Sequence, residues 1–169
     1  MKNSLKLVIT VGILLIILVD VLLIRGLGER EIDDITPGIY CEPEYIAKSD
    51  VLWIIPYFNN TPISYNKSWC NYILGLNKTL GLHGVYHTYN EFGEARDGDY
   101  LDFGIREFEK CFGEKPRMFK APQLNLSVDN VNIIKERGME IHGYLGQFFH
   151  KIYHCSDTGL FSNKFVDSV

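Results

Sequence analysis

Hydrophobic and polar positions change period several times along this chain, and each change marks an element. From Leu7 to Ile24, "LVITVGILLIILVDVLLI" carries one charge, Asp20. At 1.5 Å per helical residue the run reaches roughly 27 Å, close to the hydrocarbon thickness of a bilayer. Asp20 sits off-centre, where a charge costs less than the ~2.5–3.5 kcal/mol it costs mid-span. The segment "VDVLLIRGLGER" that follows offers no small-x-small cleavage site, so the run reads as a transmembrane anchor rather than a signal peptide. The expected organisation is a cytoplasmic stub over 1–6, an anchor over 7–24, a Gly-containing linker over 25–31 and one domain over 32–169.

Beyond the linker the period alternates. "REIDD" is a short candidate strand, and "DVLWIIP" (Asp50 to Pro56) is apolar throughout, as a parallel strand covered on both faces would be. "NNTPISYN" reads as loop. Three helical stretches follow. In the first, Ser68 caps, and Trp69, Tyr72, Ile73, Leu76 and Leu80 share a face. In the second, Leu101, Ile105, Phe108 and Phe112 align, and Gly113 stops the helix. The third starts at Ser127 and ends at Gly138, with Asp129 in its first turn and Lys135 and Arg137 in its last. Between them lie the extended pieces "LGLHG", "RMFKAP", "MEIHGY" and "KIYHC". Strand–helix–strand alternation with such short connections predicts α/β with a parallel sheet, and the aromatic helix faces read as core.

Composition adds little beyond exclusions. With 46% hydrophobic and 22% charged residues the chain is ordinary for a globular domain, and a net charge of −4 gives no footprint for nucleic acid. Lys2 and Lys6 flank one end of the anchor, Arg25 and Arg30 the other, so charge barely orients it. Sequons at Asn59, Asn66, Asn77 and Asn125 favour a domain on the outer face. Cys41, Cys70, Cys111 and Cys155 form no C-x-x-C pair, which argues against a zinc ribbon. They permit two disulfides in any of three pairings, or four buried thiols.

Chemistry enters with position. Four extended pieces end in reactive residues: Asp33 and Asp34 after "REI", His83 and His87 after "LGL", Lys120 and Gln123 after "RMF", His154 after "KIY". In (β/α) barrels, active sites are assembled from the carboxyl ends of several strands. The pair His83 and His87 alone is weak, because five histidines produce an H-x-x-x-H match by chance often enough. Joined by one carboxylate, the two imidazoles give three protein ligands with positions left open, the arrangement of a catalytic metal site. The second carboxylate could then act as general base.

In this order, "IDDITP", "LHGVYHTY", "KAPQ" and "IYH" resemble the motifs of the polysaccharide deacetylases with the NodB homology domain, over Ile32 to about Ser156. The resemblance implies that Asp34, His83 and His87 ligate a divalent metal, most suitably Zn²⁺, and that Asp33 is the catalytic base. "KAPQ" is similar to the family's Arg-x-Pro-aromatic motif, which makes the Gln123 backbone N–H an oxyanion donor. His154 becomes the general acid. Two departures stand out: Lys120 replaces Arg and loses its rigid fork, and the family's Asp-x-x-x-Trp motif has no counterpart. The soluble part is short for this fold, so the expected architecture is a short or incomplete (β/α) barrel of the polysaccharide deacetylase type behind one transmembrane helix.

The activity implied is removal of N-acetyl groups from an amino sugar in a cell-surface or lipid-linked glycan, with the anchor holding the site close to the bilayer. A catalytically inactive glycan-binding or scaffold module on the same fold is the main rival. A two-His-one-carboxylate iron oxygenase shares the triad but belongs on all-β sandwiches. Of the remaining polar residues, His142 could line the pocket, His150 reads as surface or packing, and Asp157 could orient His154.

Overall fold

The computed structural model describes residues 2–169, with side-chain surroundings from Lys6 onward except at Gln147. The chain opens with α1 (Lys2–Leu27). Its stretch Lys6–Leu27 is long and apolar enough to cross a membrane, and no residue of its most apolar 18-residue window is buried in the rest of the protein.

A six-stranded parallel sheet follows. Its strands are β1 (Arg30–Ile35), β2 (Val51–Ile54), β5 (Thr79–His83), β6 (Met118–Lys120), β7 (Glu140–His142) and β8 (Lys151–His154), in the order β7-β6-β5-β2-β1-β8. The fold is therefore α/β. Lys120 on β6 reaches Glu31 on β1 across β5 and β2. Three strand spacings would put those backbones about 14 Å apart in a flat sheet, so the sheet curls into a half-barrel. Glu31, Asp33, Trp53 and Lys120 meet on its concave face.

The convex face is packed by helices. Ile32, Leu52, Ile54, Leu82 and Phe119 from the strands are buried together with Ile73, Leu101, Phe108 and Ile134 from the helices. Those helices are α3 (Lys67–Gly75), α4 (Gly98–Phe112) and α5 (Val128–Glu136). The Asp97 side chain caps α4 by accepting from Tyr100 N–H, and Gly113 ends it at φ 82°. Ser127 caps α5.

Four sequence expectations need correcting here. The α3 cap is Asn66, whose side chain accepts from Trp69 N–H, and not Ser68. Leu80 belongs to β5 rather than to the α3 face, because the helix has already ended at Gly75. Tyr72 is exposed rather than core, and with Trp69 and Tyr40 it borders a cleft of about 420 Å³. "NNTPISYN" is not plain loop: it holds a short hairpin, β3 (Tyr57–Phe58) with β4 (Thr61–Pro62), and a 3-10 turn over Ile63–Tyr65. The short helices α2 (Pro43–Lys48), α6 (Tyr144–Phe149) and α7 (Asn163–Ser168) complete the chain.

Direction along β1 corrects a fifth. The strand leaves α1 at Arg30, and Asp34 lies four residues on, about 13 Å of extended chain at ~3.3 Å per residue. The site sits at the far end of the sheet from α1, not beside it.

Two disulfides, Cys41–Cys155 and Cys70–Cys111, settle the cysteine question against free thiols. Cys41–Cys155 closes 114 residues and ties the loop after β1 to the residue after His154. A loop this long is worth about 4–5 kcal/mol in the chain-entropy account. The double replacement Cys41→Ala/Cys155→Ala should lower the urea midpoint accordingly, measured on the full chain against wild type.

Candidate metal centre

The site begins with an irregularity in β1. Regular alternation would send the Asp33 and Asp34 side chains to opposite faces of the sheet. Instead the β1–β2 register shifts between Ile32 and Ile35, and Asp34 takes a left-handed φ of 69°. Aspartate tolerates that region better than most residues, at a cost of order 1–2 kcal/mol. The bulge re-aims Asp34 towards the histidines while Asp33 stays on the concave face with Glu31.

His83 is the last residue of β5, two strands away from β1. Its Nδ1 lies 3.0 Å from the Lys120 carbonyl, which can only accept, so Nδ1 carries the proton and Nε2 presents a lone pair. That Nε2 is 3.5 Å from Asp34 Oδ1.

His87 lies four residues later in a tight turn rather than on a helix, at φ 57°. A buried carboxylate builds the turn: Glu91 accepts N–H bonds from Val85 (3.1 Å), Tyr86 (2.7 Å) and His87 (3.1 Å). The Tyr100 hydroxyl donates to the same group at 2.6 Å. Gly84 is required at the turn's entry, at φ +64°, because a Cβ there would meet Glu91 Oε2 at 2.3 Å and Pro122 Cγ at 2.6 Å. The result places His87 Nε2 2.9 Å from Asp34 Oδ1.

Asp34, His83 and His87 thus offer three ligand atoms that all lie within 4.8 Å of one another. One carboxylate and two imidazoles form a donor set suited to Zn²⁺, and the His83 tautomer is the one a metal needs. The other Asp34 oxygen, Oδ2, faces His154 Nδ1 at 3.5 Å and accepts from the Thr158 hydroxyl at 3.2 Å. Burial alone would raise the Asp34 pKa, but the His154, His83 and His87 imidazoles gathered around the carboxylate hold it far below the usual range. Burial would lower the His87 and His154 values, and the Asp34 carboxylate reverses this and raises both. Three imidazoles converge on one anion.

Gln123 follows β6 in a left-handed turn, φ 51°, and its side-chain oxygen accepts from Asn90 N–H at 3.1 Å. The side chain is therefore committed to the histidine loop. Asp157 does not orient His154 directly, as the sequence suggested. It accepts from Asn163 N–H, and the Asn163 amide clamps the His154 backbone at both N–H and carbonyl, each at 2.8 Å.

Sequence reasoning missed two groups. The first is Glu91, for which the signal was an acid closely following H-x-x-x-H. Glu91→Ala frees three N–H groups and the His87 turn with them. It should weaken zinc affinity by about 10–100-fold, the usual cost of losing a group that orients a ligand, as read by competition with a chromophoric chelator.

The second is a buried ionic cluster. The Lys120 ammonium contacts Asp33 Oδ1 at 2.7 Å and Glu31 Oε2 at 3.1 Å. Glu31 also accepts from the Trp53 indole at 2.6 Å, and its other oxygen meets His150 Nδ1. His150 is therefore part of the half-barrel interior, not a surface or packing residue. Period-2 alternation in "REID" was the available clue, since it puts two acids on one face and demands a cation there. His142 lies beside this cluster, its ring 5.0 Å from that of Trp53.

The cluster contributes to the pH dependence of the fold. Burial pushes the Glu31 pKa up, but the Lys120 charge and the His150, Trp53 and Lys120 hydrogen bonds bring it below its ordinary 4.5. Its stabilising contribution is present above that value and lost as pH falls through the lower folded-state value. Burial pushes Lys120 down, and Asp33 and Glu31 raise it above its ordinary 10.5. That contribution is present below 10.5 and lost as pH climbs beyond it. Urea midpoints should therefore fall at both extremes, and Glu31→Gln should shrink the acid limb.

No family model matches the chain, and no curated protein matches it. Among solved structures, two crystal structures of a CE4 family pseudoenzyme from Bacillus anthracis, one wild type and one mutant, align at 18% identity with a TM-score of 0.44. Each alignment covers 54% of this chain and 31% or 32% of the other, so the chain spans about a third of the length of the structures it matches. A likeness of this size assigns neither family nor activity.

Proposed function

We propose that the protein is a metal-dependent hydrolase of the polysaccharide deacetylase type, removing N-acetyl groups from an amino sugar in a cell-surface or lipid-linked glycan. The observation that carries this reading is the convergence of Asp34, His83 and His87 within 4.8 Å, with Asp33 adjacent in the chain and His154 on the far oxygen of Asp34.

Asp34, His83 and His87 would hold a Zn²⁺, which would supply a water acidified towards pKa ~7 and Lewis acidity for the acetamide. The chain's own residues do the rest. Asp33, its Oδ1 fixed by the Lys120 ammonium, takes the proton of the attacking water. The Gln123 N–H stabilises the developing oxyanion, a role that depends on main chain and tolerates the family's aromatic being replaced. His154 protonates the leaving amine, releasing acetate and a free amino sugar. Both disulfides and the sequons at Asn59, Asn66, Asn77 and Asn125 support a single-pass protein with this domain on the outer face.

A glycan-binding module without turnover is the second reading, and the burial of Asp33 against a buried ammonium favours it. Acetate release from N-acetylchitooligosaccharides by the zinc-loaded full chain separates the two. Turnover supports the enzyme, whereas oligosaccharide binding with no acetate supports the module.

A further inference from the structure

We infer that α6 is seated in the interfacial layer of the bilayer that α1 enters, so that the domain rests on lipid through its open seam as well as through its anchor. The inference depends on α1 being a membrane span.

Helix α6, "YLGQFF", contains no charged residue, and Tyr144, Leu145 and Phe148 are 65%, 74% and 62% exposed. It joins β7 to β8, the two edges of the sheet, and so borders the gap that a closed barrel would fill with strands. An uncharged, aromatic-rich surface of this kind marks an interaction site on a water-soluble face.

What covers it follows from its neighbour. At Gly28, one residue past α1, a Cβ would stand 2.6 Å from the Phe149 carbonyl and 3.1 Å from that of Ile24. The end of the candidate span and the end of α6 are therefore in contact. Leu27, the last residue of α1, is 89% exposed at the same place. A bilayer that takes up α1 brings its headgroup–acyl boundary to this point, and Tyr, Phe and Leu are the side chains that partition there. Because α6 leads directly into His150 and its bond to Glu31, the lipid contact is mechanically continuous with the half-barrel interior. The metal centre lies at the carboxyl ends of β1 and β5, whereas the end of α6 that meets α1 is the one leading into the amino end of β8.

The test uses the full chain in phosphatidylcholine vesicles with brominated acyl chains, in three variants: Phe148→Trp, Tyr65→Trp and Leu18→Trp. Tyr65 is exposed on the turn beyond β2, towards the metal-centre end. Emission is read as the signal added to that of Trp53 and Trp69. The expected result is loss of the added emission for Phe148→Trp and Leu18→Trp and none for Tyr65→Trp. Quenching of Leu18→Trp without quenching of Phe148→Trp overturns the seat while leaving the span in place. Phe148→Trp emission that follows protein-to-lipid ratio instead of bromination assigns the patch to a second copy and also overturns it. An unquenched Leu18→Trp removes the span and this inference together.

Discussion

Asp33→Asn should lower acetate release by about 10²–10⁴-fold, the range lost when a general base is removed, while bound zinc stays at the wild-type level. The two halves of that result come from the geometry of one bulge. Asp33 points to the concave face, where Lys120 holds Oδ1 at 2.7 Å, whereas Asp34 points to the imidazoles. Neighbours in sequence therefore have separable jobs. Asparagine keeps the shape and can still accept from Lys120 through its carbonyl oxygen, so the fold and the triad persist. Turnover and zinc content measured on the same preparation check it. Loss of both together would mean that Asp33 holds the metal or the fold rather than the proton.

The second large effect concerns stability. Lys120→Met should destabilise the full chain by about 3–5 kcal/mol, the cost of removing one partner from a buried ionic cluster. Lys120 is 2% exposed, and Asp33 and Glu31 would be left without their shared cation at 3% and 1% exposure, Glu31 keeping its bonds from Trp53 and to His150. At 2–4 °C per kcal/mol for a chain of this size, the thermal midpoint should drop by roughly 10 °C. The loss should be largest near neutral pH and shrink as Glu31 protonates below about pH 4.5, its ordinary value. Calorimetry across pH reads both. A midpoint unchanged at pH 7 would mean that the cluster is solvated and carries no such energy.

The elements that could be read from sequence are those whose pattern is local. The apolar run of α1, the Ser127 and Gly113 boundaries, and the strands that carry Asp34 or end at His83, Lys120 and His154 all follow from period, cap and turn chemistry. The triad was legible because strand ends converge in parallel sheets, which turns a list of polar residues into a place. What stayed hidden depends on partners distant in sequence. His150 is 119 residues from Glu31, and nothing local distinguishes an interior histidine from a surface one. Asp157 stands near His154 in sequence, but Asn163 takes up the hydrogen bond. Asn66 outcompeted Ser68 as the α3 cap because the helix starts at Lys67, two residues before the apolar face begins at Trp69. Glu91 was missed for a related reason: a carboxylate that serves three main-chain N–H groups leaves no trace in hydrophobic pattern.

The most direct test of the metal centre is zinc content per chain after dialysis against dilute zinc, for wild type and for His87→Ala side by side. The account predicts about one zinc in wild type and essentially none in the variant, because removing one of three protein ligands leaves a two-point site. Equal zinc in the two proteins, or none in either, would contradict it.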